Sequence, residues 1–225
     1  MKGSFLFTCE HASAAVPAYC KSAFSTVAAR ADLASHRGID FFAEMAASIL
    51  SEKLKAKCFK GQWSRLCIDL NRSPHHRNLY SSYAMAMPAD LRKTLLEYYN
   101  NYRNSVIQEI SRLVEGRHPV IHISVHSFTP IWEGKPRQCD LGVLYDPGRP
   151  EEKQFALGMQ ESLQVNGYRV RRNYPYRGNA DGLTTTLRKL FQPDQYLGIE
   201  LEFNQADPDT IVKMLDPLSA YLKRK

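Results

Sequence analysis

Pro119-Val120-Ile121-His122-Ile123-Ser124-Val125-His126-Ser127-Phe128-Thr129-Pro130 is a β-branched run without Asp, Glu, Lys or Arg that ends in polar residues. It predicts a buried strand that opens into a site. Side chains of a strand alternate between faces, so Val120, His122, Ser124 and His126 share one side while Ile121, Ile123 and Val125 share the other. Burying an imidazole costs free energy unless it has a hydrogen-bond partner or a metal, so each histidine needs a reason. For His122 the expectation is a satisfied core hydrogen bond. For His126, where the strand runs out, it is a ligand or catalytic role, because open α/β sheets bind ligands outside the carboxyl ends of their strands.

Outward from this run, residues 3–9 read as a first strand that ends at Glu10-His11, a second polar cluster placed after a strand. Residues 39–55 carry helical spacing, with Asp40 expected in the first turn. Residues 65–70 read as a short strand leading into Asn71-Arg72, and the Ser-, His- and Tyr-rich loop beyond it is expected to border the site. Residues 88–115 form the longest helical pattern, closed by Gly116. Residues 140–145 predict a strand, 151–165 a helix, 168–172 an edge strand, and 173–186 a Gly-rich polar loop followed by a short helix through Leu190. Residues 197–203 predict a strand with Glu200 and Glu202 on one face, and 210–223 a helix kinked or split by Pro217. Strands alternating with helices imply an α/β sandwich on a largely parallel sheet. Parallel strands ending at His11, Asn71, His126 and Glu202 would deliver those groups to one edge of it.

Length and an ordinary share of hydrophobic residues, 44%, predict one domain over residues 1–225 rather than a disordered or fibrous chain. No apolar run near the start is long enough for a membrane span, so the expectation is a cytoplasmic protein with no membrane partner. The five scattered cysteines contain no CxxC pair and read as reduced packing residues. A net charge of +7 suits a small anionic substrate or a nucleic acid. The nucleic-acid alternative, built on Arg169, Arg171, Arg172 and the basic end 223–225, leaves the strand histidines without a role.

His11, His126 and one carboxylate make the three-ligand set of a catalytic zinc that keeps a position open for water. A further carboxylate near the metal, Glu202 or Glu200, would move the proton from that water to a leaving amine.

Laid out in order, Cys9-Glu10-His11-Ala12, Gly38-Ile39-Asp40, Ser64-Arg65, Asp69-Leu70-Asn71-Arg72, Ser124-Val125-His126-Ser127 and Leu201-Glu202-Phe203-Asn204-Gln205 resemble the N-formylglutamate amidohydrolase family, itself similar to the zinc carboxypeptidases and aspartoacylases. The resemblance implies a three-layer αβα sandwich with a largely parallel mixed sheet, of the phosphorylase/hydrolase-like, zinc exopeptidase-like kind. It implies Zn2+ or another divalent metal on His11 and His126, with Asp40 the first choice and Glu10 the second for the third ligand, because position 14 is Ala14 where the carboxypeptidase pattern has Glu. It makes Glu202 the general base and assigns Asn71 and Arg72 to the substrate carboxylate, a task suited to the planar guanidinium fork. Arg65 would be a second clamp or oxyanion stabiliser, and Arg177 and Thr184 would lie in a substrate-covering loop. The implied reaction is hydrolysis of an N-acyl amino acid, N-formyl-L-glutamate first. The alternatives are a carboxypeptidase-like or aspartoacylase-like hydrolase of another substrate and a non-catalytic amino-acid-binding protein.

Overall fold

The computed structural model describes residues 3–116 and 118–225; Met1, Lys2 and Arg117, which the expected single domain includes, lie outside the described residues. In chain order the strands are β1 (Ser4–Cys9), β2 (Lys57–Lys60), β3 (Val120–Phe128), β4 (Ile131–Trp132), β5 (Lys135–Pro136), β6 (Leu141–Leu144), β7 (Val170–Arg172) and β8 (Tyr196–Asn204). The helices are α1 (Val27–Leu33), α2 (Ala43–Leu54), α3 (Ser82–Met85), α4 (Ala89–Val114), α5 (Pro150–Val165), α6 (Leu183–Leu190) and α7 (Pro208–Leu222), with a 3-10 turn over Ala18–Phe24.

The uncharged run forms β3, buried from end to end in a six-stranded sheet of order β2-β1-β3-β8-β6-β7. Strands β2, β1, β3 and β8 are parallel, β6 is antiparallel to β8, and β7 is parallel to β6. The alternation read from β3 holds on both sides. Ile121, Ile123 and Val125 join Phe7, Ile199 and Leu201 against α2, α5 and α7, where Leu50, Met159 and Met214 are fully buried. Val120 joins Leu6 and Tyr196 on the other face against α4 and α6, with Leu95, Val106, Ile110 and Leu187. Each such large side chain contributes about 1.5–3 kcal/mol by leaving water, so two apolar layers fix the sheet between helices as an α/β fold. On the α4 face the apolar residues give way, near the carboxyl ends of β3 and β8, to Ser124, His126, Glu200 and Glu202, all buried.

Several expectations are corrected. Residues 65–70 form turns, not a strand. Their backbone is held by other groups: the Asp69 N–H donates to the Leu79 carbonyl at 2.8 Å, and Arg103 of α4 donates to the carbonyls of Leu70 and Arg72 at 3.1 and 3.0 Å. The edge position beside β1 is taken instead by β2. Helix α2 begins at Ala43, so Asp40 precedes its first turn, where the acidic residue is Glu44. Pro217 lies inside α7 without ending it. The five cysteines are unpaired and four of them are buried. No helix among the described residues is long and apolar enough to cross a membrane.

Candidate metal centre and substrate cavity

Three parallel strands lying side by side bring the sequence-predicted groups together. His11 follows β1, His126 lies near the end of β3, and the register of β3 with β8 sets His126 beside Glu202 and Ser124 beside Glu200. The loop before α2 supplies Asp40, tied to β1 by its N–H donating to the His11 carbonyl at 3.1 Å.

Asp40 Oδ2 lies 3.1 Å from His11 Nδ1 and 2.9 Å from His126 Nδ1, and the three donor groups are buried within 4.8 Å of one another. Ligand atoms in a tetrahedral shell of about 2.0–2.1 Å radius stand about 3.3 Å apart, so this triplet fits the first shell of one divalent ion. The far nitrogen of each ring also faces a carboxylate: His11 Nε2 is 2.7 Å from Asp69 Oδ1, and His126 Nε2 is 3.2 Å from Glu10 Oε2. Ligating histidines are commonly oriented in this way, by an outer carboxylate on the second nitrogen. Glu10 therefore sits behind His126, and Asp40 alone of the two candidate carboxylates shares the space between the rings. Asp69, to which sequence reasoning assigned no role, sits behind His11.

Electrostatics favour a cation. Burial opposes ionisation of Asp40 and Asp69, but His11 and Arg65 outweigh it and hold both carboxyls well below their usual range. Glu10 is held at about 2, its burial overcome by the hydrogen bond and charge of His126. His126 moves the other way: burial lowers it, yet its contacts with Asp40 and Glu10 raise it well above an ordinary imidazole. Arg65 bridges the cluster, 3.4 Å from Asp40 Oδ1 and 3.0 Å from Asp69 Oδ2.

Glu202 differs from its neighbours. Burial, with Asp40 and Glu200 nearby, pushes its carboxyl up to about 8, and its Oε2 has no hydrogen-bond partner among the described residues. A buried polar atom without a partner is costly unless something in the site uses it. Glu200, in contrast, receives the Thr184 hydroxyl.

These groups open into a cavity of about 240 Å³, whose walls include His11, Asp40, His126, Arg65, Glu200 and Glu202. Asn71, Arg72, Tyr176 and Arg177 also line it. Asn71 Oδ1 accepts the Leu183 N–H at 2.7 Å, which turns its Nδ2 toward the site, 3.3 Å from His126 Nε2. The loop carrying Tyr176 and Arg177 lies close against the sheet at Gly178, where a Cβ would stand 2.1 Å from the Tyr145 nitrogen. Thr184 does not reach the cavity; it is fully buried beneath Glu200. His122 bonds Thr8 Oγ1 at 2.8 Å and the Tyr196 hydroxyl at 2.7 Å, a satisfied core histidine held low, at about 4, chiefly by burial. Away from the site, Arg169 pairs with Asp140, Arg172 bonds Gln160, and Arg171 stacks 4.0 Å from the Tyr174 ring centre.

A mixed α/β sheet with a buried His-Asp-His cluster and a lone carboxyl at the carboxyl ends of its central strands has the form of a hydrolase site. The model of the N-formylglutamate amidohydrolase family matches residues 3–207, and the chain belongs to that family. Among solved structures, a gene product of Agrobacterium tumefaciens is 27% identical with a TM-score of 0.82, the match covering 99% of this chain and 90% of that one. The N-formylglutamate amidohydrolase of Ralstonia eutropha is 14% identical with a TM-score of 0.74, covering 99% and 93%, and shares the fold. No curated protein matches the chain.

Proposed function

We propose that the protein is a metal-dependent amidohydrolase of N-acyl amino acids, with N-formyl-L-glutamate the leading substrate and formate and L-glutamate the products. The observation that carries this reading is the convergence of His11 Nδ1, Asp40 Oδ2 and His126 Nδ1 beside the unpartnered Oε2 of Glu202. A divalent metal, zinc first, held by those three atoms would supply the Lewis acidity that makes water nucleophilic near neutral pH. Glu202 Oε2 takes the proton of the attacking water and returns it to the leaving amine nitrogen. Its free oxygen, against the hydroxyl-bound Glu200, supports Glu202 as the base. Asp69 and Glu10 hold the two imidazoles in the orientation that turns Nδ1 inward. Arg65, with donors to spare beyond its contacts to Asp40 and Asp69, steadies charge developing on the carbonyl oxygen. Asn71, Arg72 and Arg177 bind the substrate carboxylates, Arg by its paired N–H fork. Thr184 acts through Glu200 rather than on substrate.

The reading extends to a cytoplasmic enzyme on a carboxypeptidase-like scaffold, formed as one domain, whose partner is a small anionic substrate and not a nucleic acid or a membrane. Engagement of Arg169, Arg171 and Arg172 with neighbouring side chains supports the last point.

The test is metal content by elemental analysis of the purified protein and of His126→Ala, with formate release from N-formyl-L-glutamate measured on the same samples. Near-stoichiometric zinc that falls in the variant together with activity is the expected result. A wild-type protein that binds no metal after reconstitution and releases no formate overturns the proposal.

A further inference from the structure

An exposed hairpin beside the cavity is joined to an exposed aromatic side chain of its wall. Ile131 and Trp132 begin the β4–β5 hairpin and are 61% and 49% exposed, and Tyr176, 45% exposed, lines the cavity itself. Arg137 joins Trp132 to Tyr176: its guanidinium carbon lies 5.1 Å from the Trp132 ring centre, 5.4 Å from Tyr176 and 5.7 Å from Phe128. The Trp132 ring also meets His36, with ring centres 6.4 Å apart in an edge-on contact. His36 precedes Asp40 by four residues and Tyr176 precedes Arg177 by one, so the hairpin stands between the loop of a metal-facing carboxylate and the loop of a cavity arginine.

The stack has the properties of a binding platform rather than of an internal brace. Guanidinium faces and aromatic rings attract one another, which holds Trp132 and Tyr176 in place while leaving their outer surfaces in water. The N–H edge of Arg137 is poorly used. Its contacts to Thr129 O, Thr129 Oγ1 and the Tyr176 hydroxyl are 3.4, 3.5 and 3.5 Å, at the long limit for a hydrogen bond, and among the described residues it has no ion-pair partner. Half-exposed Trp and Tyr beside an Arg held only by long hydrogen bonds is a composition enriched in binding hot spots.

A formyl group ends in a hydrogen atom and leaves this platform unused. We infer that the β4–β5 hairpin, Arg137 and Tyr176 form a second subsite, which receives the acyl half of N-acyl amino acids whose acyl group is aromatic. A flat ring would lie against Trp132 or Tyr176, with the Arg137 guanidinium holding those two rings from behind. This rests on the hydrolase reading and names the substrate class of the same site: aroyl amino acids beside or ahead of the formyl one.

The protein has two tryptophans, Trp63 and Trp132. In Trp63→Phe the remaining indole is Trp132, and its emission is titrated with N-benzoyl-L-glutamate and with N-formyl-L-glutamate. In parallel, KM and kcat are measured for both compounds with the wild type and with Trp132→Ala. The expected result is a saturable emission change with the benzoyl compound that is larger than with the formyl one. Loss of one aromatic stack predicts that Trp132→Ala raises the ratio of benzoyl KM to formyl KM by about tenfold. An emission that the benzoyl compound does not move, or a KM ratio unchanged by Trp132→Ala, overturns the subsite while formate release leaves the hydrolase reading standing. Emission that titrates in a protein hydrolysing neither compound overturns the hydrolase reading and keeps the subsite. Silence in both measurements overturns both.

Discussion

Replacing Glu202 by Gln tests whether the lone carboxyl of the site is a buried neutral group in the metal-free protein. Its carboxyl stands at about 8 in the folded state against 4.5 for an ordinary glutamate, chiefly because burial disfavours the charged form. A carboxyl raised in this way binds more protons folded than unfolded. Its favourable contribution is therefore complete below pH 4.5 and is lost as the pH climbs towards 8. Over that window each pH unit removes about 1.4 kcal/mol, so stability falls by about 3 kcal/mol from this residue alone between pH 5 and pH 7. Gln keeps the shape of the protonated carboxyl and does not titrate. Urea unfolding of chelator-treated wild type and Glu202→Gln at pH 5 and pH 7 should show the variant gaining about 3 kcal/mol on the wild type across the interval. The same variant, reloaded with metal, should lose formate release by about 10²–10⁴-fold, the span of a lost general base. Stability profiles that run parallel between the two pH values would refute the neutral-carboxyl account and leave Glu202 an ordinary ionised residue.

Asp69→Asn removes the carboxylate 2.7 Å from His11 Nε2 and should weaken zinc binding about 10–100-fold in a chelator competition; unchanged affinity would mean that Asp69 does not orient the ring. Arg177→Ala should raise KM for N-formyl-L-glutamate at least about tenfold with little change in kcat, as expected for loss of a charged binding contact made equally in the ground and transition states. A matching fall in kcat would instead put Arg177 in the chemical step. Arg103→Met strips the donors from the Leu70 and Arg72 carbonyls and should cost on the order of 3 kcal/mol in urea unfolding, whereas a cost under 1 kcal/mol would show that those carbonyls find other partners.

What could be read in advance depended on whether the deciding contact was local. Alternation along β3 is a property of consecutive residues, and it sorted Ile121, Ile123 and Val125 from His122, Ser124 and His126 correctly. The alternation of helices and strands likewise gave the layered α/β architecture. Residues 65–70 misled because Leu66, Cys67, Ile68 and Leu70 are as buried as a strand would be. What holds them as turns lies elsewhere in the chain: Arg103 donates to the Leu70 carbonyl, the Ser81 hydroxyl to the Leu66 carbonyl, and the Asp69 N–H goes to the Leu79 carbonyl. Strand β2 was missed for the opposite reason: Lys57 and Lys60 bound a four-residue edge with no apolar alternation. At the site, His11, Asp40, His126 and Glu202 were named from the sequence and the resemblance, and the fold brings them to one place. The partition of Glu10 and Asp69 behind the rings was not legible, since it is decided by which ring nitrogen each carboxylate meets. The one available signal for Asp69 was its place inside the Asp-Leu-Asn-Arg segment. Thr184, expected in the covering loop, lies instead in the first turn of α6, and its side chain turns inward to Glu200.

That division of carboxylates explains how one buried pocket holds so many acids. Asp40, Asp69 and Glu10 each face an imidazole, and Arg65 spans Asp40 and Asp69, so three of the charges are matched inside the protein. Glu202 has no ion-pair partner among the described residues, and burial with Asp40 and Glu200 nearby holds its carboxyl up at about 8. A divalent ion among His11, Asp40 and His126 would draw the proton from Glu202 by the same attraction that raises His126 beside two carboxylates. The fraction of Glu202 able to act as a base would then rise with metal loading, through charge alone and without a change of fold.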